Sequence, residues 1–270
     1  MSFLLSVLLF LCCSSPKQEK STTEIKSVAV RQKSTAVDSI PKNVLKLMKW
    51  YPDVIGYKDN HVLFSDNTKM VYDDGKEKGP QELLDNPDIE DMFKWTYSTN
   101  REIPKEFVDP GRIRHEAFFK KIYGQSKEAV ASQLATVKWC PTLVNQSIRI
   151  TRKNNIHLKV DSLSKELDKH PEFKQYLQNI GGTFNWRLIS GTNRLSMHSF
   201  GMTIDINTSF SHYWQWDCGC KNENVILKYK NKIPHELVAI FEKYGFIWGG
   251  NWYHYDTMHF EYRPELLNSI

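Results

Sequence analysis

The chain has 270 residues, enough for one large domain or two small ones, and its 40 % hydrophobic and 25 % charged content is that of an ordinary soluble globular protein. Its net charge of +5 is modest and spread along the chain. Nucleic-acid binding needs a clustered basic face, so that class of partner is excluded. A monomer is expected.

At the amino terminus, Phe3-Leu-Leu-Ser-Val-Leu-Leu-Phe-Leu11 is apolar but too short for a permanent membrane span, which takes about 20 residues. Small polar residues and Pro16 follow it, so residues 1–13 read as a signal peptide, although the usual basic stretch before the apolar core is missing. The Leu-x-x-Cys arrangement resembles a bacterial lipoprotein cleavage box. Cys12 or Cys13 would then carry a lipid and attach the exported protein to the cell envelope. Residues 14–40, rich in Ser, Thr, Lys and Glu, cannot bury enough surface to offset their ordering entropy and are expected to be a flexible tether.

The globular region begins at Pro41. Val44 to Trp50 predicts a short helix, and His61–Phe64 with Met70–Tyr72 predicts a hairpin across Asp66-Asn67. The acidic stretch from Asp85 to Asp91 reads as a solvated loop and helix start rather than a cation site. Between Arg112 and Val137, Phe118, Phe119, Ile122, Val130, Leu134 and Val137 recur at helical spacings interrupted at Gly124. Strands are expected at Ile148–Thr151 and Ile156–Val160, around Asn154-Asn155. Ser162 or Ser164 then caps a helix through Leu167, Phe173 and Leu177, disturbed at His170-Pro171 and ended by Gly181-Gly182.

Further strands are predicted at Phe184–Ile189, Met202–Ile206, Phe246–Trp248 and Met258–Tyr262. A helix from Pro234 to Tyr244 has Pro at its start and Gly245 past its end. Strands and helices intersperse without a βαβ rhythm. The expected class is α+β, a single domain with a mostly antiparallel sheet flanked by helices. Of the three cysteines in the body, Cys140, Cys218 and Cys220, at most two can bridge, and a bond from Cys140 to one of the pair is one possibility.

The chemistry concentrates in Ser196-Met-His198-Ser-Phe-Gly201-Met-Thr-Ile-Asp205 and Asp256-Thr-Met-His259-Phe-Glu261. A catalytic zinc takes three N or O ligands and leaves one position open, and His198, Asp205 and His259 fit that role. Such an ion acidifies water, but a base must collect the proton, and Asp256 fits there. Alternation along a strand puts Asp205 on the face opposite Ile204 and Ile206, where His259 meets it across the sheet; Glu261 shares the face of His259. Glu261 is therefore a candidate to hold an imidazole from behind, and the runner-up base. Ser196 bonds its own turn or contacts substrate. His254 packs among aromatic rings or meets substrate.

The paired segments resemble the VanY-type D-alanyl-D-alanine carboxypeptidases, zinc peptidases that trim bacterial cell-wall peptides together with D,D-dipeptidase and L-alanyl-D-glutamate endopeptidase relatives. The resemblance covers residues 181–264, so residues 181–270 are taken as the zinc peptidase core and 41–180 as the preceding part of the globular region. It implies zinc on His198, Asp205 and His259, Asp256 as base where some members use Glu, and peptidoglycan peptides as substrate. It also implies an upstream Arg facing the oxyanion: Arg187 first, Arg194 second. A non-catalytic, zinc-containing wall-binding lipoprotein is the alternative from another class.

Overall fold

The computed structural model describes residues 39–267. The expected signal peptide, with Cys12 and Cys13, and the tether as far as residue 38 lie outside the described residues. Helix α1 (Lys42–Trp50) buries Val44 and Leu47, one turn apart. Strands β1 (Val54–Lys58), β2 (His61–Phe64) and β3 (Lys69–Val71) form an antiparallel meander, and the expected β2–β3 hairpin gains β1 as an unexpected partner. Gly56 within β1 concealed that strand.

After α2 (Pro80–Asp85), the acidic stretch departs from expectation. Asp88 and Asp91 are buried and receive the ammonium of Lys78, at 3.0 and 2.6 Å. A lysine side chain already supplies the cation there.

Helices α3 (Glu116–Tyr123) and α4 (Lys127–Ala131) replace the single interrupted helix expected from Arg112 to Val137. Gly124 ends α3 at φ +137, and Ser126 caps α4 by accepting from the Ala129 amide. Leu134 and Val137 belong instead to β4 (Leu134–Trp139), where Ala135, Val137 and Trp139 alternate inward, and β4 pairs antiparallel with β5 (Gln146–Thr151). The expected strand Ile156–Val160 is the start of helix α5 (Ile156–Leu167). Asn154 and Asn155 both take left-handed backbone angles and turn the chain into it. The buried stripe Ile156, Val160, Leu163, Leu167 is helical, whereas Leu158, which made the segment look like a strand, is exposed. Ser162 and Ser164 sit inside α5 and do not cap it. The chain continues through a 3-10 turn at Pro171–Phe173 into α6 (Lys174–Leu177).

Residues 184–189 are not a strand. They fold against residues 194–199 through Asn185 N–H to His198 O, Ser196 N–H to Arg187 O and Ile189 N–H to Arg194 O, with one bridge between Leu188 and Leu195. Next come β6 (Thr203–Asp205), α7 (Trp214–Cys218), α8 (His235–Lys243), β7 (Phe246–Trp248) and β8 (His259–Tyr262). The last sheet has the order β6-β8-β7, all antiparallel.

The domain is of the α+β class, with three small antiparallel sheets instead of one larger one. Beneath β6 and β8, Ile204, Ile206 and Phe260 are buried, and Phe260 stacks on Phe241 of α8 at 3.8 Å. This packing holds the opposite face of the sheet still. Cys218 and Cys220 bridge each other and Cys140 is a buried free thiol, which settles the open pairing. Among the described residues no helix is long and apolar enough to cross a membrane.

Candidate metal centre and cleft

Antiparallel pairing of β6 with β8 sets Thr203 opposite Glu261, Ile204 opposite Phe260 and Asp205 opposite His259. Alternation then puts Asp205 and His259 together on one face and the two apolar residues on the other. His198 arrives from the 3-10 turn Met197–Phe200, which Gly201 ends in a left-handed conformation. That conformation favours Gly. Its φ is +63°, and an added Cβ would lie 2.6 Å from Leu134 Cδ2. The close neighbour of Gly201 is thus β4.

The ligating atoms of His198, Asp205 and His259 all lie within 4.8 Å of one another. His198 Nε2 is 3.0 Å from one carboxylate oxygen of Asp205, and His259 Nδ1 is 2.9 Å from the other. The far side of each ring is held. His198 Nδ1–H donates to Thr203 Oγ1 at 2.8 Å and lies 3.1 Å from the Thr183 carbonyl, which leaves Nε2 facing the cluster. His259 Nε2–H donates to Glu261 Oε2 at 3.0 Å, which leaves Nδ1 facing it. Two imidazole nitrogens and one carboxylate, each oriented from behind, form a donor set suited to a borderline divalent ion such as zinc.

Glu261 is fully buried and anchored in turn. Arg114 Nη2 donates to it at 2.7 Å and Arg263 Nη1 at 3.1 Å. Burial alone would raise its pKa; Arg114, His259 and Arg263 hold it well below the usual carboxylate range. Burial likewise opposes a charge on His259, but Asp205 and Glu261 outweigh it and push the ring up to about 10 in the metal-free chain.

Asp256 sits at the edge of the cluster. Its amide donates to Gly249 O at 3.0 Å, and its carbonyl accepts from the His259 amide at 3.1 Å. The side-chain Oδ1 is buried without a hydrogen-bond partner among the described residues. Burial pushes its pKa up to about 6, helped by Asp205 and opposed by His259 and His198. A carboxylate held near neutrality beside a metal position suits proton transfer.

These residues open on a cavity of about 540 Å³, also lined by Arg187, Tyr213, Trp214 and the exposed Trp216. Arg187 is exposed, and its guanidinium contacts the Leu188 carbonyl at 3.3 Å. Arg194 lines the same cavity. Ser196 is buried, and its backbone organises the turn by donating to Arg187 O and accepting from the Ser199 amide. His254 is buried with both nitrogens engaged, Nδ1 by Asp109 at 2.7 Å and Nε2 by the Glu223 carbonyl at 2.8 Å, while Trp214 packs on its ring. These contacts fit the packing role, and the residue also lines the cavity.

Sequence reasoning missed Arg112 and Arg114, which line the cavity from a segment more than 80 residues before His198. The alternation Arg112-Ile113-Arg114, with Ile113 buried, was a faint signal. Asp109, which anchors Arg112 and His254, carried none.

Residues 190–262 match a protein-family model described as D-alanyl-D-alanine carboxypeptidase. No curated protein and no solved structure matches the chain. The matched segment contains His198, Asp205, Asp256, His259 and Glu261; Arg112, Arg114 and Arg187 precede it. Over this segment the chain is similar to that peptidase family, which supports a hydrolase acting on peptide bonds.

Proposed function

We propose that this protein is a zinc-dependent peptidase that hydrolyses peptidoglycan stem peptides, removing a terminal D-amino acid as a D-alanyl-D-alanine carboxypeptidase does. The observation that carries the reading is the three-donor cluster of His198, Asp205 and His259 beside the buried, unpartnered Oδ1 of Asp256. A binding module that used a metal only for stability would have no need of that carboxylate.

His198 Nε2, Asp205 and His259 Nδ1 would hold the ion. When bound, zinc acts as a Lewis acid and makes water acidic enough to attack at neutral pH. Asp256 Oδ1 accepts the proton released as water attacks, then returns it to the leaving amine. Arg187, exposed in the wall of the same cavity, would pair with the developing oxyanion. Thr203 and Glu261 keep the two imidazoles turned so that the required nitrogens face the ion. The proposed setting is the bacterial cell envelope, reached by export, with a lipid on Cys12 or Cys13 as anchor.

Digestion of purified muropeptides by the zinc-loaded protein, read by mass spectrometry, tests this. Loss of one terminal alanine from pentapeptide stems is the expected product. Cleavage between L-Ala and D-Glu would instead make it an endopeptidase. Zinc binding with no cleavage of any muropeptide would favour the wall-binding lipoprotein.

A further inference from the structure

A second cavity of about 750 Å³ adjoins the first, and the two share Arg112, Arg114, Ile189, Thr192, Arg194 and Met197 in their walls. Its far side is built by Gln81, residues 84–87 and residues 115–117, outside the segment that matches the family model. Three guanidinium groups therefore stand at the junction, and they are not equivalent. Arg112 is saturated by Asp109 at 3.0 Å and by a two-pronged contact with Glu223 at 2.9 and 3.0 Å. Arg114 is engaged by Glu261 at 2.7 Å.

The Arg194 guanidinium makes no hydrogen bond among the described residues. Its nearest carboxylates are Asp85 at 3.4 Å, which is well exposed, and Glu223 at 3.7 Å, already bound to Arg112. Arg194 Nε is nevertheless shut off from solvent, and its side chain is only 16 % exposed. Burial, Arg112 and more weakly Arg114 work against its own charge and outweigh the support of Glu223 and Asp85. A guanidinium largely withdrawn from water, whose nearest carboxylates stand off at 3.4 and 3.7 Å, is under-satisfied, and a closer carboxylate satisfies it best, through two parallel N–H···O bonds.

We propose that the second cavity is a substrate subsite in which Arg194 binds a carboxylate of the peptide whose scissile bond lies at the metal cluster. The proposal rests on the peptidase reading above. A stem peptide with lysine as its third residue offers two such groups, its terminal carboxylate and one on its second residue, and both present the same chemistry.

The test uses the zinc-loaded full chain and three synthetic pentapeptide stems: one with both carboxylates free, one amidated at the terminus and one amidated at the second residue. R194M should raise KM for the free acid by at least about tenfold, the usual worth of a charged hydrogen bond, with the loss carried by KM rather than kcat. Wild-type discrimination between acid and amide, also about tenfold or more, should collapse to less than about twofold. The amide that wild type discriminates against identifies which carboxylate is bound. R194K, which keeps the charge without the fork, should fall between and guards against misfolding of R194M.

Binding of the same peptides to metal-free protein, followed by tryptophan fluorescence, reads the subsite without turnover. If wild type cleaves nothing, the peptidase reading fails while this measurement still decides the subsite. Equal losses on acid and amides, or a fall in kcat at constant KM, would overturn the proposal; the latter would make Arg194 an oxyanion partner.

Discussion

Arg114 and Glu261, 147 residues apart in sequence, meet through Nη2 and Oε2 at 2.7 Å, and Glu261 passes that constraint to His259 at 3.0 Å. Arg114 also lies over the Trp252 ring, itself 5.7 Å from the His259 ring. The three-donor cluster is therefore held by a residue outside the segment that carries His198, Asp205 and His259. R114M should weaken metal binding by about 10–100-fold, the usual cost of losing a partner behind a ligating imidazole. Chelator competition measures it, and R114K should recover part of the loss. An unchanged metal affinity would remove Arg114 from the site.

Asp256→Asn should separate binding from chemistry. The amide keeps the shape of the side chain but cannot take a proton, so zinc should stay while kcat falls by about 10²–10⁴. Asp205→Asn should instead lower zinc content, because a neutral group replaces an anionic donor. Metal analysis alongside single-turnover rates distinguishes them. Near-normal rates for Asp256→Asn, with Glu261→Gln dead but loaded, would move the base to Glu261.

Metal uptake should release a proton from His259. In the metal-free chain that ring is pushed up to about 10, so below that pH it carries a proton on each nitrogen. An ion on Nδ1 must displace one. Its apparent affinity should rise about tenfold per pH unit as pH climbs toward 10 and level off above it. Calorimetry at pH 7 in two buffers of different ionisation heat counts the protons. A count of zero would contradict the His259–Asp205–Glu261 arrangement.

Gly249 fixes the turn that presents Asp256. A Cβ there would lie 2.5 Å from the Asp256 carbonyl oxygen, and Gly249 O accepts the Asp256 amide. G249A should displace the base and lower kcat by about 10²-fold, the scale of a 1 Å misplacement, with metal content intact. A kcat within about twofold of wild type would show that the turn tolerates the shift.

The residues of the candidate centre were legible because their spacing is local. Alternation along Thr203–Asp205 and His259–Tyr262 predicted which side chains share a face, and the β6–β8 register brings Asp205 and His259 opposite each other. Helix α8 was equally readable, with Pro234 before it and Gly245 after it. Where one apolar pattern fits two periods, the sequence was ambiguous. Ile156, Leu158 and Val160 alternate like a strand, but Ile156 and Val160 also lie on one helical stripe, and burial chose the helix. Residues 184–189 looked like a strand because they are apolar and aromatic, yet most of their side chains are half-buried or exposed in a loop folded on residues 194–199.

By itself, then, the sequence pointed to the three residues that cluster, to Asp256 as the candidate base and to the α+β class, since each rests on residue types within two short motifs and on local periodicity. Tertiary structure alone decided what stands behind and around that set. The Arg114–Glu261 pair, the Asp109–His254 contact, the Cys218–Cys220 bridge and the under-bonded Arg194 at the cavity junction were settled only by folding. The physical reason is that a lone arginine or acid carries no periodicity. Its partner is selected by burial, where an uncompensated charge costs several kcal/mol and distant segments must supply the opposite one.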